Sequence, residues 1–487
     1  MKLNEILMVG ISHYQKNDFL NAEKIFLQVL QLKPNEISIF TYLIPALLNQ
    51  NKLENALFHA EIFYNKSKKS EISCIYLGII YFKKESFLKS LEYFNSVLDS
   101  NPNNYEALLN KGVCLFKLNK NDEAKPYLTN AIKINSLNPI AYVSYAAILE
   151  DDSEIDEAII YLNKAISLNP NDYRSIHALS LLQLSKRDYS LGLKNFEKRW
   201  LQNGLVYRHS DITKLRSIEN IQNKKILIWN EQGMGDTINF SRYVRELIKL
   251  GANVTFEVQE PLFSLFTEQF NCKIILQTSS KNFDYQSPLM SLPYLFNMNN
   301  HNIPSSKPYF ICNKTKFEFW NKYLDLSNKK LNLGIAISGN NAHLKEYRRK
   351  IELKYFLKIN EFCKIYIIQK NLTSEQKIFV DQNKEFKFLG EDKNWIDFSD
   401  TSAIVENMDL IITIDTSLVH LSGAMNKKTL LLLSKASDWR WPSQNENQPN
   451  WYDSVQVFRQ KNKNNWGEII ESILPIIKKI FIEKYEG

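Results

Sequence analysis

Lys225-Ile-Leu-Ile-Trp-Asn230 is followed by Glu231-Gln-Gly-Met-Gly-Asp236, a run of mixed residues to Leu250, Gly251, and then Val254-Thr-Phe-Glu-Val258. The two apolar runs have strand character. The segment between them carries Phe240, Tyr243, Val244, Leu247 and Ile248 on one helical stripe. Strand, glycine turn, amphipathic helix and second strand make one βαβ unit. In open parallel sheets ligands sit outside the carboxyl ends of the strands. The turn Gln232-Gly233-Met-Gly235-Asp236 is expected there, with Asp236 at the lip of a cleft.

The same pattern continues in both directions. Lys273–Leu276 and the apolar segment Pro288–Leu295 extend a first half over residues 225–320. A second half, 330–487, opens with Leu331-Asn-Leu-Gly-Ile-Ala-Ile337 and the turn Ser338-Gly339-Asn340-Asn341. Lys364–Gln369 and Asp409–Ile414 are further strands, the latter ending in Asp415-Thr416-Ser417. A short helix with His420 and the strand Thr429–Leu433 follow, and Trp466–Tyr485 has the spacing of a closing helix. The expected architecture is α/β, with two doubly wound, Rossmann-like domains facing a cleft. Residues 205–224 have no periodicity and read as a connector.

Upstream, the pattern is a repeat. Pro34, Pro102 and Pro170 are spaced by multiples of 34. Ala22, Ala56, Ser90, Ala124, Ala158 and Gly192 form a column of small residues in the same phase. Gly10, Ile44, Gly78, Gly112, Ala146 and Ser180 form a second, in which Ile44 is the exception. Phe26, Ala60, Phe94, Leu128, Leu162 and Phe196 form a mostly bulky column. This period resembles the tetratricopeptide repeat, a pair of helices whose small residues permit close packing. Residues 1–204 are expected to hold about six repeats stacked into an α-helical superhelix. Its concave face is expected to bind a protein partner or an acceptor, or else to buttress the second region.

Bulk properties narrow the function. The 487 residues are 44% hydrophobic and 23% charged, a globular composition calling for two or three domains. The net charge of +8 is spread without a dense basic block, which argues against nucleic acid. The five cysteines are far apart, with no Cys-x-x-Cys, so neither a disulfide framework nor a zinc site is suggested. No apolar run is long enough to span a bilayer. The N-terminus shows no signal-peptide core. A cytoplasmic location is expected, with at most a peripheral contact to the inner face of the membrane. The dinucleotide fingerprint, the P-loop and the Gly-x-Ser-x-Gly elbow are all absent.

Several residues carry two readings. Asp236 is either a helix N-cap or a general base. Gly233 and Gly235 allow a tight turn and close approach to a ligand. Thr416 or Ser417 caps a helix, or the same turn offers free N–H groups to a phosphate. His420 is a structural histidine or a phosphate contact. Asn340, His343, Lys345, Arg348 and Arg349 form a solvated loop or bind a diphosphate. Trp439 and Trp441 plug a sheet end or stack on a sugar or base. No metal-ligand cluster is present.

Four motifs occur in one order: Ile228–Tyr243, Ser338-Gly-Asn…His343…Arg349, Asp415-Thr-Ser-Leu-Val-His-Leu-Ser-Gly-Ala424 and Asp438-Trp-Arg-Trp441. Together with the repeats, they resemble bacterial tetratricopeptide-repeat proteins with a C-terminal heptosyltransferase-like domain of glycosyltransferase family 9 type. The resemblance implies a GT-B fold and metal-independent, inverting sugar transfer. It implies no cofactor, the nucleotide-sugar being a co-substrate. Asp236 then matches the general base, and Ser338, Gly339, Asn340, Arg349, Asp415, Thr416, Ser417 and His420 match the donor and phosphate side. The chain is also similar in architecture to the repeat-containing transferases that place N-acetylglucosamine on protein Ser and Thr. The expected function is therefore transfer of a sugar to a hydroxyl of a glycan or protein. The alternative is a repeat scaffold whose transferase-like domain is not catalytic.

Overall fold

The computed structural model describes residues 3–202, 204–304, 308–324, 326, 329–339, 346–441 and 451–486. The chain divides into two units, Met1–Asn171 and Asp172–Gly487.

Helix hairpins fill the first unit: Leu3–Gln15 with Phe19–Leu32, Phe40–Asn49 with Leu53–Lys66, Glu71–Lys83 with Phe87–Ser100, Tyr105–Lys117 with Asn121–Ile134, and Pro139–Asp151 with Ile155–Leu168. The columns of the sequence explain their packing. A Cβ on Gly78 would lie 2.5 Å from Phe94, and one on Gly112 2.7 Å from Leu128, so each small residue admits the bulky residue sixteen positions later. At the exception the sizes are exchanged. Ile44 is large, its counterpart Ala60 is small, and both are fully buried in one cluster. A column that the sequence did not display lies in the turns. Asn17, Asn51, Glu85, Asn119 and Ser153, again 34 apart, all have positive φ. Asn, which tolerates this conformation, fills three of the five positions, and Glu85 and Ser153 adopt it as well, so the backbone conformation repeats more strictly than the residue type. Tyr173–Ser185 and Tyr189–Phe196 continue the period, with Arg187 in the same turn conformation, but belong to the second unit.

The second unit holds two parallel sheets. Strands β1 (Lys225–Trp229), β2 (Asn253–Glu257), β3 (Lys273–Ile275) and β4 (Tyr285–Pro288) form the first, in the order β3-β2-β1-β4. Strands β5 (Leu331–Ala336), β6 (Cys363–Ile367), β7 (Phe386–Phe388), β8 (Leu410–Thr413), β9 (Thr429–Leu433) and β10 (Val455–Arg459) form the second, in the order β10-β9-β8-β5-β6-β7. Every pairing is parallel. The central strands β5, β8 and β9 are buried along their whole length, as strands covered on both faces must be.

Three details go beyond what the sequence reading specified. The apolar run Pro288–Leu295 is helical from Leu289; the strand lies just before it and buries polar Gln286, whose Oε1 accepts the Trp229 indole N–H at 2.8 Å. β7 and β10 went unseen because they are short edge strands with polar residues between apolar ones. The connector, although aperiodic, is fixed to the first sheet. Leu215 N–H donates to Gln286 O at 2.8 Å, Gln286 N–H to Thr213 O at 2.9 Å, and Arg208 pairs with the buried Glu257 carboxylate.

One core cluster runs from the first sheet through the helix Met234–Lys249 to Trp439, Trp451, Tyr452 and one face of the second sheet. The opposite face of the second sheet is closed by the helix Trp466–Tyr485 through Ile469, Ile470, Ile473 and Ile477.

Candidate functional site

Strand order reverses between β1 and β4 in the first sheet and between β5 and β8 in the second. Open sheets offer a crevice at such points. The turns singled out in the sequence, Gln232–Asp236, Ser338–Gly339 and Asp415–Ser417, leave the carboxyl ends of β1, β5 and β8.

After β1, Gly233 is the N-cap of the helix Met234–Lys249 and Asp236 its third residue. Asp236 is therefore not the N-cap. Its Oδ2 reaches back to accept the Gly233 N–H at 3.0 Å. Neither Gly233 nor Gly235 has positive φ. The clearance at Gly235 is taken by protein rather than left to a ligand. A Cβ there would lie 2.8 Å from His420 Cδ2 and 3.3 Å from Ser417 Cα. The N-terminal turns of the helices Met234–Lys249 and Ser417–Ala424 are thus in contact. The exposed Gln232 receives Gln259 Nε2 on its carbonyl at 2.9 Å, and Gln259 Oε1 accepts Thr237 Oγ1–H at the same distance.

After β5, Gln369 secures the Ser338 turn: its Oε1 accepts the Ile337 N–H at 2.9 Å and its Nε2 donates to Ser338 Oγ at 2.9 Å. Gly339 follows. Asn340, His343 and Lys345 lie outside the described residues. After β8, Thr416 is the N-cap, its Oγ1 accepting the Leu418 N–H at 3.3 Å, and Ser417 is the first helical residue. Arg349 Nη1 donates to the Asp415 carbonyl at 2.5 Å. Arg348, Arg349, Asp415, Ser437 and Asp438 line a cavity of about 80 Å³ at the end of β9. A larger hollow of about 680 Å³ lies under the connector, against Tyr207, Tyr285 and Gln286, and includes none of these residues.

Two expected roles are corrected. His420 is buried, with Nδ1 3.1 Å from the Tyr452 hydroxyl and its ring stacked on Trp441 at 5.4 Å. Burial and the nearby Arg440 hold its pKa down to about 3, so the imidazole is neutral near pH 7 and brings no charge to a diphosphate. Trp439 and Trp441 are buried as well. Trp439 packs on Phe240 and Trp451, and Trp441 on His420. They plug the interface between the two sheets, and no open ring face remains to stack on a sugar.

Arg440, which lies between those tryptophans and was passed over for them, is the central cation. Its Nη2 pairs with Asp236 Oδ1 and its Nη1 with Asp438 Oδ1 at 2.6 Å. Burial raises the Asp236 pKa, Arg440 opposes that, and Asp438 adds to it, leaving a net upward shift. Asp415 is pushed up to about 6 by burial and by Asp438, against the Trp441 indole and the two arginines. The arrangement joins a carboxylate of raised basicity to two guanidinium groups and two helix N-termini, which is the equipment for proton abstraction beside an anion. Among the described residues no group of three or more His, Cys, Asp or Glu is placed to hold a metal. No described helix is long and apolar enough to cross a membrane.

Residues 49–131 match a family model described as anaphase-promoting complex, cyclosome, subunit 3, and residues 115–173 one described as tetratricopeptide repeat. A TPR repeat-containing protein of Methanocaldococcus jannaschii is 24% identical over 242 residues, 42% of this chain and 42% of the relative. The barley protein named probable UDP-N-acetylglucosamine–peptide N-acetylglucosaminyltransferase SPINDLY is 29% identical over 110 residues, 23% of this chain and 12% of the relative. Among solved structures, the APC/C hetero-tetramer Cut9–Hcn1 is similar with a TM-score of 0.40 and 17% identity, over 42% of this chain and 41% of that one. The chain thus spans less than half the length of these curated relatives. The N-terminal region of the chain holds tetratricopeptide repeats, and the C-terminal region holds parallel sheets with helices.

Proposed function

We propose that the chain is a metal-independent, inverting glycosyltransferase of GT-B type, with the repeats recruiting its acceptor or a protein partner. Its donor is a nucleotide-sugar and its acceptor a hydroxyl of a glycan or protein. The observation that carries this is the ion pair of Asp236, in the turn after β1, with Arg440 from the segment after β9, whose guanidinium also acts on Asp415, the carbonyl partner of Arg349. The acceptor oxygen attacks the anomeric carbon as Asp236 takes its proton, and the bond to the nucleoside diphosphate breaks with its electron pair leaving on the phosphate. The N-terminus of the helix Ser417–Ala424 and the Arg349 guanidinium receive that charge. Attack opposite the leaving group inverts the carbon. The limited similarity to the barley transferase points the same way. The site of action in this proposal is the cytoplasm.

The alternative, a scaffold with a non-catalytic domain, is favoured by one observation: Asp236 is already ion-paired, which weakens it as a base. Calorimetry and turnover with a panel of nucleotide-sugars separate the two. Asp236→Asn is expected to keep donor binding and to lose at least about a hundredfold in turnover. Absence of turnover in the wild type, or an Asp236→Asn variant as active as the wild type, would sink the proposal.

A further inference from the structure

We infer that, given Asp236 as the base proposed above, Arg440 is its positioning residue: it holds the carboxylate from the second sheet while the backbone of Gly233 holds it from the first. Among the described residues each oxygen of Asp236 has one anchor. Oδ2 accepts the Gly233 N–H at 3.0 Å, within its own helix. Oδ1 receives Arg440 Nη2, from a residue 204 positions away. A carboxylate has about four lone-pair sites. Two anchors fix its plane and leave one site on each oxygen for an acceptor hydroxyl.

The arginine is itself held. Its Nη1 donates to Asp438 Oδ1 at 2.6 Å, and its backbone N–H donates to the same oxygen at 3.0 Å. Its backbone carbonyl accepts the Trp451 indole N–H at 2.7 Å. The guanidinium lies over Trp439 at 4.8 Å and over Phe240 at 5.5 Å, residues of the second and first halves respectively. The halves around it are packed together. Gly235 abuts His420, the buried Arg242 donates to the Trp451 carbonyl at 3.1 Å, and the Tyr452 hydroxyl donates to Asn239 Oδ1 at 3.1 Å. A guanidinium clamped in this way fixes the position of Asp236 Oδ1, and a catalytic group must be held to within about 0.5 Å. Among the described residues the Nε–H of Arg440 is buried without a hydrogen-bond partner, so this donor is used by neither carboxylate.

The charged and titratable groups around Asp236 are Arg440 and Asp438 from the segment after β9, and beyond them Asp415, Arg349, the neutral His420 and the buried Arg242. Arg440 is the cation in contact. An adjacent arginine lowers a carboxyl pKa by roughly 1–3 units. Its removal should therefore raise the pH below which the base is protonated and turnover falls.

The experiment measures kcat/KM against pH for the full-length wild type, Arg440→Gln, Arg440→Lys and Asp236→Asn, each first checked for a cooperative unfolding transition. The expected result is that Arg440→Gln moves the acidic limb up by at least about one pH unit, that Arg440→Lys moves it by a smaller part of that amount, and that KM for the donor stays within about threefold. Below the limb, each unit then appears as a tenfold loss of rate. An acidic limb left in place, with kcat uniformly lowered or donor KM raised, overturns the inference while the proposed transferase activity stands: Arg440 is then structural or holds the donor. A wild type without turnover, or an active Asp236→Asn, overturns both. If Arg440→Gln fails to fold, Arg440→Lys alone decides, since a shorter, single-headed cation should shift the limb by part of that amount and an unmoved limb counts against the inference.

Discussion

Substituting Arg199 by Met should destabilise the second unit by about 3–5 kcal/mol, the usual cost of breaking a buried ion pair from one side. Arg199 and Glu231 are each only 3% exposed. They meet in a two-pronged pair, Nε to Oε2 at 2.8 Å and Nη2 to Oε1 at 2.9 Å. Arg199 also donates to Glu197 Oε1 at 2.9 Å and to Ser291 Oγ at 3.1 Å. Without it, Glu231 keeps the Met290 N–H at 2.9 Å and faces Glu197, a like charge. Burial already raises the Glu231 pKa despite Arg199. A folded-state pKa above the unfolded one gives stability that is complete at low pH and lost as pH rises. The deficit of Arg199→Met should therefore widen from pH 5 to pH 8. All eight tryptophans, Trp200 to Trp466, lie in the second unit, so tryptophan fluorescence in urea reports this unit alone. With a slope near 3 kcal/mol/M the midpoint should fall by about 1 M or more. Arg199→Met with Glu231→Gln should recover much of the loss, because no buried charge is then left alone. A single-variant loss under about 1 kcal/mol, or a double variant no better than the single, would refute this account. The pair matters to the site because Glu231 opens the turn that leads to Asp236, and Ser291 follows the neighbouring strand β4.

Two further outcomes follow from packing and protonation. Ile44→Ala should cost about 2–5 kcal/mol and Ala60→Leu about 1–3; the double variant, which restores the small–large order of the other repeats, should cost clearly less than their sum in circular-dichroism unfolding, and strict additivity would contradict the size exchange. The His420 pKa near 3 lies below its unfolded value, so its contribution is complete above about pH 6.5 and is lost as pH falls, by about 1.4 kcal/mol per unit; His420→Gln should flatten the fall in second-unit stability between pH 6.5 and 5, and an unchanged slope would count against a buried neutral imidazole.

Much of the fold was legible because regular elements write their buried faces into the chain as periods. Gly78 and Phe94, sixteen residues apart, show as two columns because the contact is local and repeats. The fully apolar β8 and β9 show because both their faces are covered. Even Ile44, an apparent fault, made sense once Ala60 was seen to be its counterpart. The turn column carries only a partial mark: Asn stands at 17, 51 and 119, but Glu85, Ser153 and Arg187 hold the same positive φ.

The site divides in the same way. Sequence alone placed Asp236, Ser338 and Asp415 at strand ends, since a strand followed by a turn and a helix is a local pattern. Which groups face each other there was decided only when the two sheets packed. Asp236 meets Arg440 across 204 residues, and no period links them. Burial made His420 neutral, and it enclosed Trp439 and Trp441, whose roles the sequence had left open. Local spacing determines what a segment becomes and which face it buries. The partner, charge and exposure of a side chain at the end of that segment depend on what the rest of the chain brings against it.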